Sequence, residues 1–200
     1  ALLVQVLLVF VTGVVFTRLS RPAMTMSIAT RAILGAHGEE VPTLTTRFFF
    51  DKVTDSLMDV RFQLTFFHMH TPTFHKTMDL HLVRSETPIL RIGTQVYHRI
   101  TKDSPVNMPF EELVARKASF LLTISGTEPT TMHTVFFSQR YSVADGEVAN
   151  GGRYKDVFEG HRSGLLLNLA HLDDVVPDAE GEGDRKGRSG RRNDRRTSRA

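Results

Sequence analysis

The first seventeen residues, ALLVQVLLVFVTGVVFT, form an apolar run with no charge, in which only Gln5, Thr12 and Thr17 carry polar side chains. Beyond Arg18 the pattern becomes an alternation. Val60, Phe62, Leu64 and Phe66 interleave with Asp59, Arg61, Gln63 and Thr65, and Met78, Leu80 and Leu82 with Asp79, His81 and Val83. Leu90, Ile92, Val96 and Ile100 keep the same two-residue beat. A period of two turns one face of a strand to a core and the other to water or a partner. Further β-rich runs cover residues 47–53, 119–124 and 131–141, and turn formers separate the runs at Gly35 and Gly38, at Thr71 with Pro72, and at residues 86–88, 125–126 and 145–146. One short helix fits residues 108–116, with Asn107 as its N-cap and Glu111 and Glu112 in its first turn. Many short strands at this spacing predict a mainly β protein, a sandwich lying between about residues 27 and 177.

The opening run needs its own account. At about 1.5 Å per residue, seventeen helical residues reach about 25 Å, a little short of a bilayer core of about 30 Å. A secretory signal would need a basic stretch before the apolar run and a small-residue cleavage site after it. Here nothing basic precedes the run, and Arg18 and Arg21 follow it. A buried core helix is the remaining soluble reading. With no initiator Met and an abrupt apolar start, the run is expected to be the end of a longer transmembrane helix, and the chain a piece of a larger protein. Flanking arginines mark the cytoplasmic end of a span, so residues after about 22 are expected in the cytosol. Pro22 lacks a backbone donor and biases Arg21 away from helical angles, so the helix should stop or kink there. The expected organisation is residues 1–21 as the end of a transmembrane helix, 22–34 as an interfacial linker, 35–177 as the β domain and 178–200 as a tail.

Charge adds little to the body of the protein. The 200 residues carry a net +3. Residues 178–200 hold eight Lys/Arg and five Asp/Glu, which is the whole excess, so residues 1–177 balance at seventeen of each sign. The tail has almost no large apolar residue and is expected to be disordered. No aromatic residue interleaves with its arginines, which argues for a solvated or lipid-touching segment and against nucleic acid as a partner. Cysteine is absent, which excludes disulfides, thiolate metal sites and a cysteine nucleophile.

Three constellations invite chemistry. His68, His70 and His75 raise a metal site, but no carboxylate sits at ligand spacing, and a strand exposing two histidines is the default. His98, Asp103 and Ser104 have the composition of a nucleophilic triad, but no nucleophile elbow accompanies them, and Asp-Ser-Pro is a natural turn. Residues 126–132, GTEPTTM, interrupt the β pattern with turn formers and read on their own as a hairpin connection. With no phosphate loop and no paired-carboxylate motif, the sequence gives no reason to expect an enzyme, a cofactor or a metal.

Several stretches together resemble the inward-rectifier potassium channel family. The apolar helix runs into VFTRLSRP at residues 15–22, similar to the family's inner helix and its basic-then-proline junction. LHLVRSETPI at 80–89 resembles the strand and turn of bacterial members, HRITKDSP at 98–105 the family's His-to-Ser-Pro turn, and FEEL at 110–113 its short helix. Residues 121–126 with Thr131, Thr134 and Tyr141 match the strands on either side of its gating loop. These matches follow family order from about residue 8 to 158.

The resemblance implies a tetramer of identical or related subunits, each an inner pore helix followed by a cytoplasmic immunoglobulin-like β-sandwich that extends and gates the potassium path. Gly126, Thr127, Glu128, Thr131 and Met132 would belong to the constricting loop, with Met132 at a narrow position where an apolar ring could gate by dewetting. Asp59 would line the cytoplasmic vestibule. Ser125 stands where strong rectifiers carry a second carboxylate, and Leu8 where they carry an acidic inner-helix residue, so weak polyamine block is implied. Gly13 would lie on the same inner helix. Arg18 and Arg21 would meet anionic lipid, a possible regulator, although Ala23–Met26 replaces the family's further basic run and Val53 and Thr54 replace another basic pair. The Gly-Tyr-Gly filter does not occur in these residues. A membrane-anchored immunoglobulin-like binding module, or a soluble carrier with an apolar N-terminal strand, are the competing readings.

Overall fold

The computed structural model describes residues 2–19, 24–35, 41–161 and 164–177. The apolar run forms α1 (Leu2–Leu19). It is followed by β1 (Met26–Ile28), β2 (Ala32–Gly35), β3 (Thr43–Phe50), β4 (Ser56–Thr71), β5 (Phe74–Leu80), β6 (Glu86–Arg91) and β7 (Gly93–Arg99). After α2 (Phe110–Ala115) come β8 (Ser119–Thr127), β9 (Thr134–Ser142), β10 (Val148–Asn150), β11 (Arg153–Tyr154), β12 (Phe158–His161) and β13 (Gly164–Leu167). A single 3-10 turn at Leu169–His171 leads into β14 (Val175–Val176). The protein is mainly β.

Two five-stranded sheets share one core. In the first, β3 is central, with β7 on one side and β1 and β2 on the other, and β10 joins β2 in parallel. In the second, the long β4 is central: β8 and then β9 lie on one side, while β6 and β5 share the other. The expected alternation along β4 holds, since Val60, Phe62, Leu64 and Phe66 are buried and Asp59, Arg61 and Gln63 are exposed. Phe48 of β3 meets Phe62 of β4 at 5.7 Å between ring centroids, and Phe66 stacks on Phe120 of β8 at 5.1 Å. Thr46 of β3 and Tyr141 of β9 share a hydroxyl hydrogen bond of 2.5 Å across the same core, and burial raises the Tyr141 pKa.

The strand β3 is buried at all eight positions, which half-buried alternation does not predict. Its second face is covered by the chain after residue 152. Phe49, Ala29, Val157 and Leu172 form a smaller core there, with Tyr154 and Leu167 against it. Arg47 lies on that face, 1% exposed. Its Nε donates to the Leu172 carbonyl at 2.9 Å, its Nη1 to the Lys155 carbonyl at 2.6 Å and its Nη2 to the His171 carbonyl, while the guanidinium carbon sits 4.2 Å from the centre of the Tyr154 ring. A guanidinium presents its donors in a fixed fork, which suits three main-chain carbonyls from two neighbouring segments. This one side chain ties the outer layer to the sheet.

Several expectations are corrected. The turn signal at Glu86–Pro88 lies inside β6, an edge pairing of β4. Ile92 is not a strand residue in step with Leu90 and Val96. It occupies a corner at φ 69°, where the chain leaves the β4 sheet and enters the β3 sheet through Gly93. The N-cap of α2 is Pro109, not Asn107, and makes no side-chain cap bond, although Glu111 and Glu112 do occupy the first turn. The run at 47–53 ends as strand at Phe50, and that at 131–141 begins only at Thr134. β1 and all but the last residue of β2 fall within the segment expected to be a linker, and both pair with β3. The turn expected at Gly38, the break at Arg21–Pro22 and the tail from Asp178 lie outside the described residues.

Candidate functional site

The residues assigned to the vestibule and to the loop come together at one end of the β4 sheet. Arg61 is paired with Ser125 and Met58 with Thr127, and the extra residues between them form a bulge that holds Asp59 exposed at φ 49°. Opposite the bulge sits Gly126. A Cβ there would come within 3.2 Å of both the Met58 carbonyl oxygen and Val60 Cγ2, and within 3.3 Å of Leu57 Cβ. Gly126 is therefore a buried close-approach position and not a hinge. It is paired with Val135, Thr127 is paired with Thr134, and the strand runs through the residues expected to open the loop.

The loop itself is residues 128–133, and Glu128 organises it. Its carboxylate accepts from the Thr130 N–H at 3.0 Å, from the Thr131 N–H at 2.6 Å and from the Thr131 hydroxyl at 2.5 Å. The Met132 N–H donates to the Glu128 carbonyl at 2.8 Å. Burial pushes the Glu128 carboxyl up, but the bonds from Thr131 and Thr130 outweigh it and hold the group at about 2. A carboxylate that accepts this many local donors stays ionised at neutral pH. Met132 then takes a left-handed turn conformation at φ 58° with its side chain 67% exposed. Phe136, paired with Ser125 on the outward face, is 72% exposed. Sequence reasoning missed Phe136, because in the run Thr134-Val135-Phe136-Phe137 nothing but the register says which phenylalanine faces out.

The helix positions behave differently. Every described side chain from Leu2 to Val15 is exposed, Leu8 among them at 66%. Leu8 and Gly13 are five residues apart, about 140° around the helix, so they do not share a face. Arg18 falls in the last turn of α1, and Arg21 lies outside the described residues. Among the described residues no helix is long and apolar enough to cross a membrane.

The histidines do not assemble. His68 is buried against Phe66, its ring centroid 5.2 Å away, and His70 is exposed. His75 is paired with Met69, which puts it on the opposite face of the sheet from His68 and His70. No group among the described residues has the makings of a metal site. The triad residues are partly joined: the His98 Nδ1–H donates to the His81 carbonyl at 2.7 Å, and Nε2 accepts from the Ser104 hydroxyl at 2.7 Å. Asp103 is exposed and takes no part, and Ser104 Oγ also accepts from the Val106 N–H at 3.3 Å. The pair closes the turn before α2.

Burial lowers the His98 pKa against the opposing effect of its bond to the His81 carbonyl, and burial followed by nearby Arg116 lowers that of His68. Both groups take up protons more readily in the unfolded chain, so stability is at its full value above about pH 6.5 and is lost as the pH falls through the folded values. Thermal melts are expected to show a Tm lower at pH 5 than at pH 8, and His98→Gln is expected to flatten that dependence. An unchanged slope in the variant would remove His98 from the account.

The chain matches no family model and no curated protein. The assignment of function therefore rests on the residues and their geometry.

Proposed function

We propose that the chain is a subunit of an inward-rectifier-type potassium channel, α1 being the cytoplasmic part of the pore-lining helix and the β domain an immunoglobulin-like sandwich beneath it. The observation that carries this reading is α1. Eleven large apolar side chains between Leu2 and Val15 stand in solvent. At about 1.5–3 kcal/mol for each side chain removed from water, their burial is worth on the order of 15 kcal/mol or more. None of the described residues of the β domain covers them, and lipid or other copies of α1 would. Its 18 residues extend about 27 Å of the about 30 Å of a bilayer core.

The β domain supports the same reading. The bulge at Asp59, the small Ser125 and the braced loop ending at Met132 gather at one end of a sheet, where four copies around an axis would form a vestibule and a narrow apolar ring. An apolar ring of this kind closes a pore by excluding water. With serine at 125 and leucine at 8, Asp59 is left as the cation-concentrating carboxylate, which suits weak rectification. Arg18, in the last turn of α1, suits an anionic headgroup at about 1 kcal/mol per basic residue.

Light scattering of the 200-residue chain in a neutral detergent tests the oligomer. Four copies of 22.5 kDa make a protein mass of about 90 kDa. A mass of one chain would instead favour a membrane-anchored binding module.

A further inference from the structure

We propose that the cleft between β3 and the outer layer binds a small organic anion, a phosphate or carboxylate on a flat apolar body, with Arg153 as its principal contact. The cleft, open on one side, has a volume of about 570 Å³, within the size range of small-molecule sites, and is lined by Arg153, Tyr154, Lys155, Asp156, Phe49 and Phe158, with Arg47 at its base.

Its charge is unbalanced. Arg47 is buried with three carbonyl acceptors but no carboxylate within ion-pair distance among the described residues; Asp156, Asp173 and Asp174 act on it only from further away. Burial therefore lowers its pKa. Arg153 is exposed and makes no ion pair among the described residues. Lys155 Nζ lies 3.2 Å from the His171 ring nitrogens and 3.7 Å from Asp174, which also bonds His171, so it is partly engaged and Arg153 is left as the free cation of the lining among the described residues. The one carboxylate on the lining, Asp156, already accepts the Phe158 N–H at 2.9 Å. With Lys155 set against Asp174, the lining still carries Arg47 and Arg153 against Asp156; that excess in a concave site attracts an anion, and guanidinium groups hold phosphate and carboxylate through paired donors.

The walls define the rest of the ligand. Phe49 and Phe158 meet edge to face, their centroids 5.9 Å apart, and Phe158 remains 39% exposed. Tyr154 offers its ring beneath the Arg47 guanidinium. Phe49 is itself buried and Tyr154 is stacked on Arg47, so the open apolar surface is that of Phe158; a bare inorganic anion would leave it wet, whereas a planar apolar group beside the charge would cover it.

This inference concerns the face opposite the shared core and depends on neither pore nor tetramer. Calorimetric titration of the full 200-residue chain in neutral detergent at pH 7.5 with phenyl phosphate tests it. Saturable binding is expected, weakened at least about tenfold by Arg153→Gln, as loss of a charge-assisted contact implies. Arg140→Gln, which removes an arginine that bonds Ser119 on the β8–β9 face, is expected to leave it within twofold. Phenol and inorganic phosphate are each expected to bind more weakly than phenyl phosphate. Absence of saturable binding, equal loss in both variants, or inorganic phosphate binding as tightly as phenyl phosphate would overturn the assignment.

Discussion

Replacing Arg47 by methionine is expected to cost about 3 kcal/mol of stability and to loosen residues 153–177 ahead of the rest of the domain. Methionine retains the length and apolar bulk that fill the site, so the loss isolates the guanidinium. The carbonyls of Lys155, His171 and Leu172 would lose their donor, that of Leu172 in a buried position and the other two part-buried. An unsatisfied buried acceptor costs about 1–3 kcal/mol, and relief from burying a charge offsets part of the sum. For a chain of this size that is a fall in Tm of roughly 6–12 °C. Hydrogen exchange should quicken first at amides such as Lys155 and Asn168, which donate to Asp174 and Val157 within the outer layer. Amides of β8, between β4 and β9, should keep their protection. Arg47→Lys should recover little, because an ammonium cannot span three carbonyls. A melt unchanged by Arg47→Met would mean that the apolar contacts of Phe49, Val157 and Leu172, with the Tyr154 hydroxyl on the Arg31 carbonyl and Asp173 on the Thr30 N–H, hold the layer without the guanidinium.

The second large effect belongs to the corner between the sheets. Gly93 sits at φ 146°, and a Cβ there would lie 2.3 Å from the Phe48 carbonyl oxygen and 2.6 Å from Phe49 Cα. Those are backbone atoms of β3, so no side chain can swing aside. Gly93→Ala must either push β7 off β3 at the Phe49 pairing or twist the corner, where the Ile92 carbonyl also accepts the Phe50 N–H at 2.7 Å. The expected loss is at least about 3 kcal/mol, from backbone strain together with the broken end of the ladder. Ile92→Gly acts in the opposite direction. A β-branched residue at φ 69° is strained and this one is exposed, so the substitution should cost little or should stabilise. Denaturant unfolding of the two variants side by side measures the contrast, and equal midpoints would contradict it.

What could be read from the sequence followed from periodicity. The alternation from Asp59 to Phe66 identified a half-buried strand, because one face of β4 meets the core and the other does not. The uncharged run at the start likewise identified α1. Where a third layer intervenes, the pattern misleads. Thr43–Phe50 is buried on both faces, and Arg47, which the sequence placed only in a β-rich run, is the most enclosed cation among the described residues. Turn-forming residues misled for a related reason. Pro88 is tolerated in the edge strand β6, and Gly126 serves close approach to the β4 bulge, so neither ends a strand. At the candidate site, Asp59 and the residues after Ser125 were named separately, some seventy positions apart. That they adjoin depends on the pairing of Met58 with Thr127 and Arg61 with Ser125, and on the bulge that shifts it. Single-sequence patterns do not encode that register, and the outward position of Phe136 depends on it too.

The central claim is that four copies meet at an axis beside Met132, and the absence of cysteine makes it directly measurable. Met132→Cys supplies a lone thiol at the exposed loop tip, and Phe74→Cys supplies one at the far end of β4, where the native side chain is 56% exposed. A disulfide forms only where two Cβ atoms approach to about 3.5–4.5 Å. Under mild oxidation in dilute detergent solution, the account predicts rapid covalent dimers from Met132→Cys and almost none from Phe74→Cys. Failure of the loop thiol to cross-link, or equal cross-linking of the two, would contradict it.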